Sequence, residues 1–159
     1  MLIYLCTFPN ALSFTAPQAP NLEKIAFAAS LTNTIKSLGS HQVIEFNQVI
    51  TNIGNAYDAR HGHFTAPIKG TYLFSMSAHA ANNQIIALDL VRNDNRIIDV
   101  YADARGGAEE TSTQTVPLVL EKGDAVWVRT HERRTGSTLY GNTEWNRSSF
   151  SGVLLFSLP

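Results

Sequence analysis

The sequence predicts an all-β domain, a β-sandwich of about ten antiparallel strands, and three observations predict it. Apolar residues come in short runs with period-2 alternation, which sets one face of a strand on a core and the other in water. Turn-forming Gly, Pro, Asn and Asp separate those runs at roughly 8–12-residue intervals, the spacing of sandwiches. Nowhere do Leu, Glu, Lys and Ala build a long helical stretch.

From Glu23 onward, Ile25, Phe27, Ala29 and Leu31 share one face of a first strand. Asn33 to Ser40, containing Gly39, reads as a polar connector. Val43 to Ile50 reads as a strand that closes on the turn-rich stretch Thr51 to Asn55. Gly70 to Ala80 is the clearest strand: Tyr72, Phe74, Met76 and Ala78 point one way, and Thr71, Ser75, Ser77 and His79 point to the wet face. After a turn at Asn82-Asn83, Ile86, Leu88 and Leu90 form the core face of the next strand. Asn93-Asp94-Asn95 is a tight-turn signal, followed by a strand from Ile97 to Ala104 that Gly106-Gly107 breaks. Thr111 to Leu120 is next, and Lys122-Gly123-Asp124 turns the chain into Ala125 to Arg129. A second long hairpin runs through Gly136 and Gly141, and Phe150 to Leu158 closes the domain.

A length of 159 residues fits one domain large enough to bury its own core. Twelve Lys+Arg against 13 Asp+Glu, with only 16% charged and 44% hydrophobic residues, exclude a disordered or nucleic-acid-seeking chain. One cysteine excludes an intrachain disulfide framework and a multi-cysteine zinc site. No apolar run reaches the ~18 residues of a membrane-spanning helix, so neither nucleic acid nor membrane is an expected partner. Residues 1–20 stand apart from a globular domain over 21–159. The apolar run Met1 to Phe8 lacks a preceding basic residue and is interrupted by Pro9; it reads as an N-terminal arm or as part of a secretory signal.

Phe46, Asn52, Tyr57, Phe64, Gly70, Tyr72 and Phe74 follow one another at spacings that resemble the signature of the globular C1q domain. Met76 departs from it, standing where an aromatic is usual, but is large and adaptable enough to keep a core position. Leu118 and Leu120 before Gly123-Asp124 and Val126-Trp127-Val128 are similar to that family's penultimate hairpin. Phe150-Ser151-Gly152 with Leu154-Leu155 is similar to its closing strand. The resemblance runs from about Ile25 to Pro159. It implies a C1q/TNF-like jelly roll, assembled as a homotrimer, secreted, and held by core aromatics whose truncation would each cost about 3–5 kcal/mol. With no collagen-like Gly-X-Y run in the sequence, it points to the single-domain lectin type without a stalk.

No catalytic motif is present: no G-x-S-x-G, phosphate-binding glycine loop or H-E-x-x-H. No enzymatic activity is therefore expected. Cys6 reads as a tail cysteine, the alternative being a link between protomers. Asp58, His61 and His63 read as a surface loop because zinc needs three or four fixed ligands. Calcium enters only through the family, since Asp94, Asp99 and Asp103 show no ligand ladder, and calcium takes about 6–8 oxygens. No other cofactor is expected.

The region from Arg129 to Arg147 is richer. It holds His131, Arg133, Arg134, Tyr140, Asn142 and Trp145. Aromatic rings suit the C–H face of a sugar, and Asn and Arg supply planar hydrogen bonds to hydroxyls or carboxylates. These six residues are the candidate ligand site, the competing reading being that Tyr140 and Trp145 pack across a hairpin or a trimer interface. Arg133 and Arg134 suit anionic sugars such as sialic acid. Asn146-Arg147-Ser148 is also a glycosylation sequon. The expected function is a multivalent glycan-recognition protein of innate immunity that binds microbial surface carbohydrates. The alternative is a cytokine-like or synaptic-organiser ligand for a protein receptor.

Overall fold

A computed structural model describes residues 23–159; the N-terminal apolar run and Cys6 lie outside the described residues. Twelve strands form two antiparallel sheets, and no helix occurs among the described residues. In the first sheet β3 (Gln48–Ile53), β1 (Ala26–Ser30), β12 (Ser149–Ser157), β6 (Gly70–Ala80) and β9 (Glu110–Leu120) lie side by side. Beyond Ser77 the lane that β12 fills beside β6 is taken by β11 (Ser137–Asn142), which also pairs with β2 (Asn33–Leu38). The second sheet runs β4 (Tyr57–Asp58), β5 (His63–Thr65), β10 (Ala125–Thr130), β7 (Ile85–Arg92) and β8 (Asn95–Asp103).

The alternation that identified the strands also builds the core. Tyr72, Phe74, Met76 and Ala78 on β6 face Ile86, Leu88 and Leu90 on β7 and Val126 and Val128 on β10, all buried. Met76 thus keeps the core position. Phe27 is the hub of the aromatic cluster: its ring stacks on Tyr57 at 4.7 Å, meets Phe64 at 5.3 Å and takes the edge of Phe150 at 4.9 Å. The rings crowd the backbone of β12 so closely that a Cβ on Gly152 would lie 2.7 Å from atoms of both Phe27 and Phe74. The tight hairpin between β7 and β8 has Asn93 and Asp94 both at positive φ, 48° and 65°. Two consecutive left-handed residues give the turn whose twist matches that of the flanking strands.

Four local expectations are corrected. Residues Asn33–Leu38 form strand β2 instead of a connector; its partner is β11, with register shifts that hide any alternation. The strand expected over Val43 to Ile50 lies later, at Gln48–Ile53, and Val43 makes only an isolated bridge to Arg129. The expected hairpin through Gly136 and Gly141 does not form, because β10 and β11 belong to different sheets. His79, expected on the wet face, is 2% exposed, because the connection between β11 and β12 closes over that end of β6.

Candidate functional site

The outer faces of the two sheets differ in chemistry, and register explains how. On the first sheet Ile53, Ala26, Val153, Leu73 and Pro117 stand in one row across β3, β1, β12, β6 and β9. The next row is Thr51, Ala28, Ser151, Ser75 and Thr115. Neither row holds a charge. Ile53, Val153 and the neighbouring Leu155 and Phe156 are exposed, and they border a shallow hollow of about 270 Å³.

The outer face of the second sheet is charged. Register sets Ala87 beside Tyr101, and Asp89 between Asp99 and Arg129. Strand β10 ends at Thr130, and the N–H of His131 then donates to the Ala87 carbonyl at 3.1 Å, holding His131 against β7. The Arg134 N–H donates back to the His131 carbonyl at 3.1 Å, closing a turn. The Arg133 N–H donates to His131 Nδ1 at 3.2 Å, so the neutral ring keeps its proton on Nε2, free to donate. Ala87 is the small floor of a depression of about 220 Å³ walled by Asp99, Tyr101, His131, Arg133 and Arg134. The Arg134 guanidinium lies 5.5 Å from the centre of the Tyr101 ring, a cation–π contact that orients it while leaving its in-plane donors available.

The carboxylates of this face are committed to arginines. Arg96 pairs with Asp99 and lies 3.3 Å from Asp89 Oδ1. Arg129 reaches Asp94 at 3.7 Å and Arg105 holds Asp103 at 2.6 Å. Asp89 is buried, and its Oδ1 has no hydrogen-bond partner among the described residues; desolvation pushes its carboxyl above the ordinary range, against the pull of His131, Arg96 and Arg129. Asp94, Asp99 and Asp103 thus each face an arginine guanidinium. Asp58 accepts from His61 Nδ1 at 2.8 Å and from the Arg60 N–H at 2.9 Å, which holds its carboxyl down at about 2. His63 instead packs its ring 4.6 Å from Trp127, so these three residues form a loop turn and an aromatic contact.

The six candidate residues fall into two groups with separate partners. His131, Arg133 and Arg134 line the depression on the second sheet. Tyr140, Asn142 and Trp145 lie on β11 and the connection after it. Asn142 Oδ1 accepts the N–H groups of Glu144 and Trp145 at 3.1 and 2.9 Å, and its Nδ2 donates to the Tyr140 hydroxyl at 2.9 Å. Its amide is thus engaged in shaping the turn. The Tyr140 ring packs edge-on against His79 at 5.1 Å, and the exposed Trp145 ring is covered by the Arg147 guanidinium at 4.3 Å. Tyr101 was not singled out from the sequence, although its place between buried Val100 and Ala102 gives its outward direction by alternation alone.

An antiparallel jelly roll with an aromatic core, an uncharged outer sheet face and no helix among the described residues defines a C1q/TNF-type module. The chain belongs to the C1q domain family, whose match spans residues 26–155. It is 37% identical over 139 residues to complement C1q tumor necrosis factor-related protein 3 of Homo sapiens, covering 86% of this chain and 53% of that protein. Caprin-2 of Danio rerio is 32% identical over 134 residues, covering 84% of this chain and 14% of the relative. The chain thus spans about half or less of these relatives' lengths. Among solved structures, the globular domain of zebrafish complement 1qA superposes with a TM-score of 0.69 at 19% identity, covering 85% of this chain and all of that one. The Eiger TNF of S. frugiperda superposes with the same score at 15% identity, covering 86% and 96%. At these identities the two structures share the fold.

Proposed function

We propose that the chain is a secreted, non-enzymatic recognition module that assembles as a homotrimer and binds glycans through the outer face of its second sheet. The observation that carries the assembly is the uncharged row Ile53, Ala26, Val153, Leu73 and Pro117 on the first sheet. An exposed apolar patch on a folded domain marks a surface that another surface covers, and a face without charge lets identical copies approach without repulsion. A second and third copy are the natural occupants in a family whose domains form trimers. The likeness to a C1q/TNF-related protein supports an extracellular ligand.

Recognition is assigned to the depression over Ala87. Tyr101 offers a ring to a sugar's apolar face, Arg133 and Arg134 offer donors to a carboxylate or hydroxyls, and His131 Nε2–H offers one more. Each site is small and open, so affinity comes from repetition: linked sites gain ~10²–10⁴-fold in avidity with no new contact. Such a protein suits repeated surface carbohydrates, including those of microbes.

The test is a glycan array probed with the purified protein, with and without a chelator. The expected result is chelator-insensitive binding to acidic glycans that Arg133→Ala/Arg134→Ala removes. Glycan binding that the double variant leaves intact overturns the site. No glycan binding alongside saturable capture of one cell-surface protein supports the receptor-ligand reading, which the TNF-like fold also accommodates.

A further inference from the structure

The sandwich buries one histidine that the recognition face does not use. His79 lies on β6 with its ring 2% exposed. Its Nδ1 is 2.7 Å from Thr111 Oγ1 on β9, and its Nε2 is 3.2 Å from Arg147 NH1 on the β11–β12 connection. A guanidinium has donors only, so Nε2 offers its lone pair and the neutral ring carries its proton on Nδ1. Glu109, just before β9, brings Oε2 to 3.4 Å from Nε2, and the same oxygen accepts from Arg147 NH1. From β11 the Tyr140 ring packs edge-on, and the Ser148 hydroxyl accepts the His79 backbone N–H. The charged and titratable groups facing the ring are therefore Glu109, Arg147 and Tyr140.

We propose that His79 is an acid-sensitive latch: a proton on Nε2 replaces the His79–Arg147 contact with a His79–Glu109 ion pair and frees Arg147 from the indole of Trp145. The donor count requires a change. Once protonated, Nε2–H and NH1–H are two donors on two cations 3.2 Å apart, and one carboxylate oxygen lies within reach of both. Glu109 is the only anionic partner of Arg147 among the described residues, so its transfer leaves only an exposed cation–π contact, too weak to keep the guanidinium on the indole. The chain at this point stays in place, since Ser77 Oγ donates to the Arg147 carbonyl at 2.8 Å and Ser30 Oγ to the neighbouring Asn146 side-chain amide oxygen at 2.7 Å. The side chains the change releases are an indole and a guanidinium, which become available together to an anionic or sugar ligand. Burial and the adjacent guanidinium both hold His79 below its ordinary value, so the latch is closed at neutral pH and opens on acidification. The latch extends the recognition reading to a second, pH-gated surface but does not depend on it.

The test needs no ligand, so its failure is separable from that of the glycan reading. The full chain carrying Trp127→Phe leaves Trp145 as its one indole; its emission and iodide quenching are followed with pH beside ¹⁵N-resolved imidazole spectra. The expected result is a His79 proton on Nδ1 at neutral pH, a midpoint below the ordinary histidine value, and a Trp145 transition at that midpoint. His79→Gln is expected to abolish the transition. Arg147→Met, which leaves the histidine in place, is expected to raise the His79 midpoint and remove the Trp145 change. A proton on Nε2 at neutral pH overturns the latch, as does a flat Trp145 signal across the His79 titration.

Discussion

The side-chain amide of Asn52 holds the backbone of Tyr57 from both sides. Its Nδ2 donates to the Tyr57 carbonyl at 2.8 Å and its Oδ1 accepts the Tyr57 N–H at 3.2 Å. The Tyr57 hydroxyl in turn donates to the buried Phe46 carbonyl at 3.0 Å, and its ring stacks on Phe27. Three widely spaced signature positions are thus one connected device that pins the end of β3 to β4. Asn52→Ala leaves a buried donor and an acceptor unpaired and is expected to cost about 1–3 kcal/mol in denaturant unfolding. Asn52→Asp, which keeps the acceptor and loses the donor, is expected to fall between.

Gly152 is a steric requirement of the aromatic core. A methyl group there meets the rings of Phe27 and Phe74 at 2.7 Å, and neither ring has room to withdraw from a packed cluster. Gly152→Ala is expected to destabilise by ~1–3 kcal/mol, read as a lower denaturation midpoint with an unchanged slope.

Asp89 carries a pH signature on the second sheet opposite in sign to that of Asp58. Its carboxyl is raised in the folded state, so ionised Asp89 costs stability at neutral pH, and the cost is relieved as pH falls into the carboxylate range, where both states are protonated. Asp89→Asn is expected to melt above the parent at pH 7. The gap should narrow on acidification, and thermal scans at a series of pH values check the sign.

The proposed recognition face predicts a graded loss. One charge-assisted hydrogen bond is worth about 1.5–3 kcal/mol, so removing Arg134 is expected to weaken glycan binding by roughly 10–100-fold. Tyr101→Ala removes both the ring and the contact that orients Arg134, and its loss should not add fully to that of Arg134→Ala. A double-mutant cycle on immobilised glycan measures the coupling.

Strand β6 was legible through Ala78, because a long strand with one buried face writes nine residues of alternation before its end is covered. Strand β2 was not, since its irregular pairing with β11 leaves the burial pattern without a period. The same limit divided the candidate site. Periodicity reports which way a side chain points but not which sheet a strand joins, so β10 and β11 read as one hairpin and their residues as one cluster. His79 broke the pattern for a tertiary reason, a connection from about 70 residues downstream folding over its strand end.

The proposed assembly rests on the row through Val153. Val153→Lys puts a charge in the middle of that uncharged face and is expected to yield folded monomer, with the strand spectrum in circular dichroism retained.

Light scattering on the parent chain eluting from a sizing column tests the central claim most directly. A mass three times the 17.5 kDa of one chain, falling to one chain for Val153→Lys, is the predicted result. A parent chain that elutes as a monomer at micromolar concentration contradicts the account, since it removes both the cover for the apolar face and the multivalency on which recognition depends.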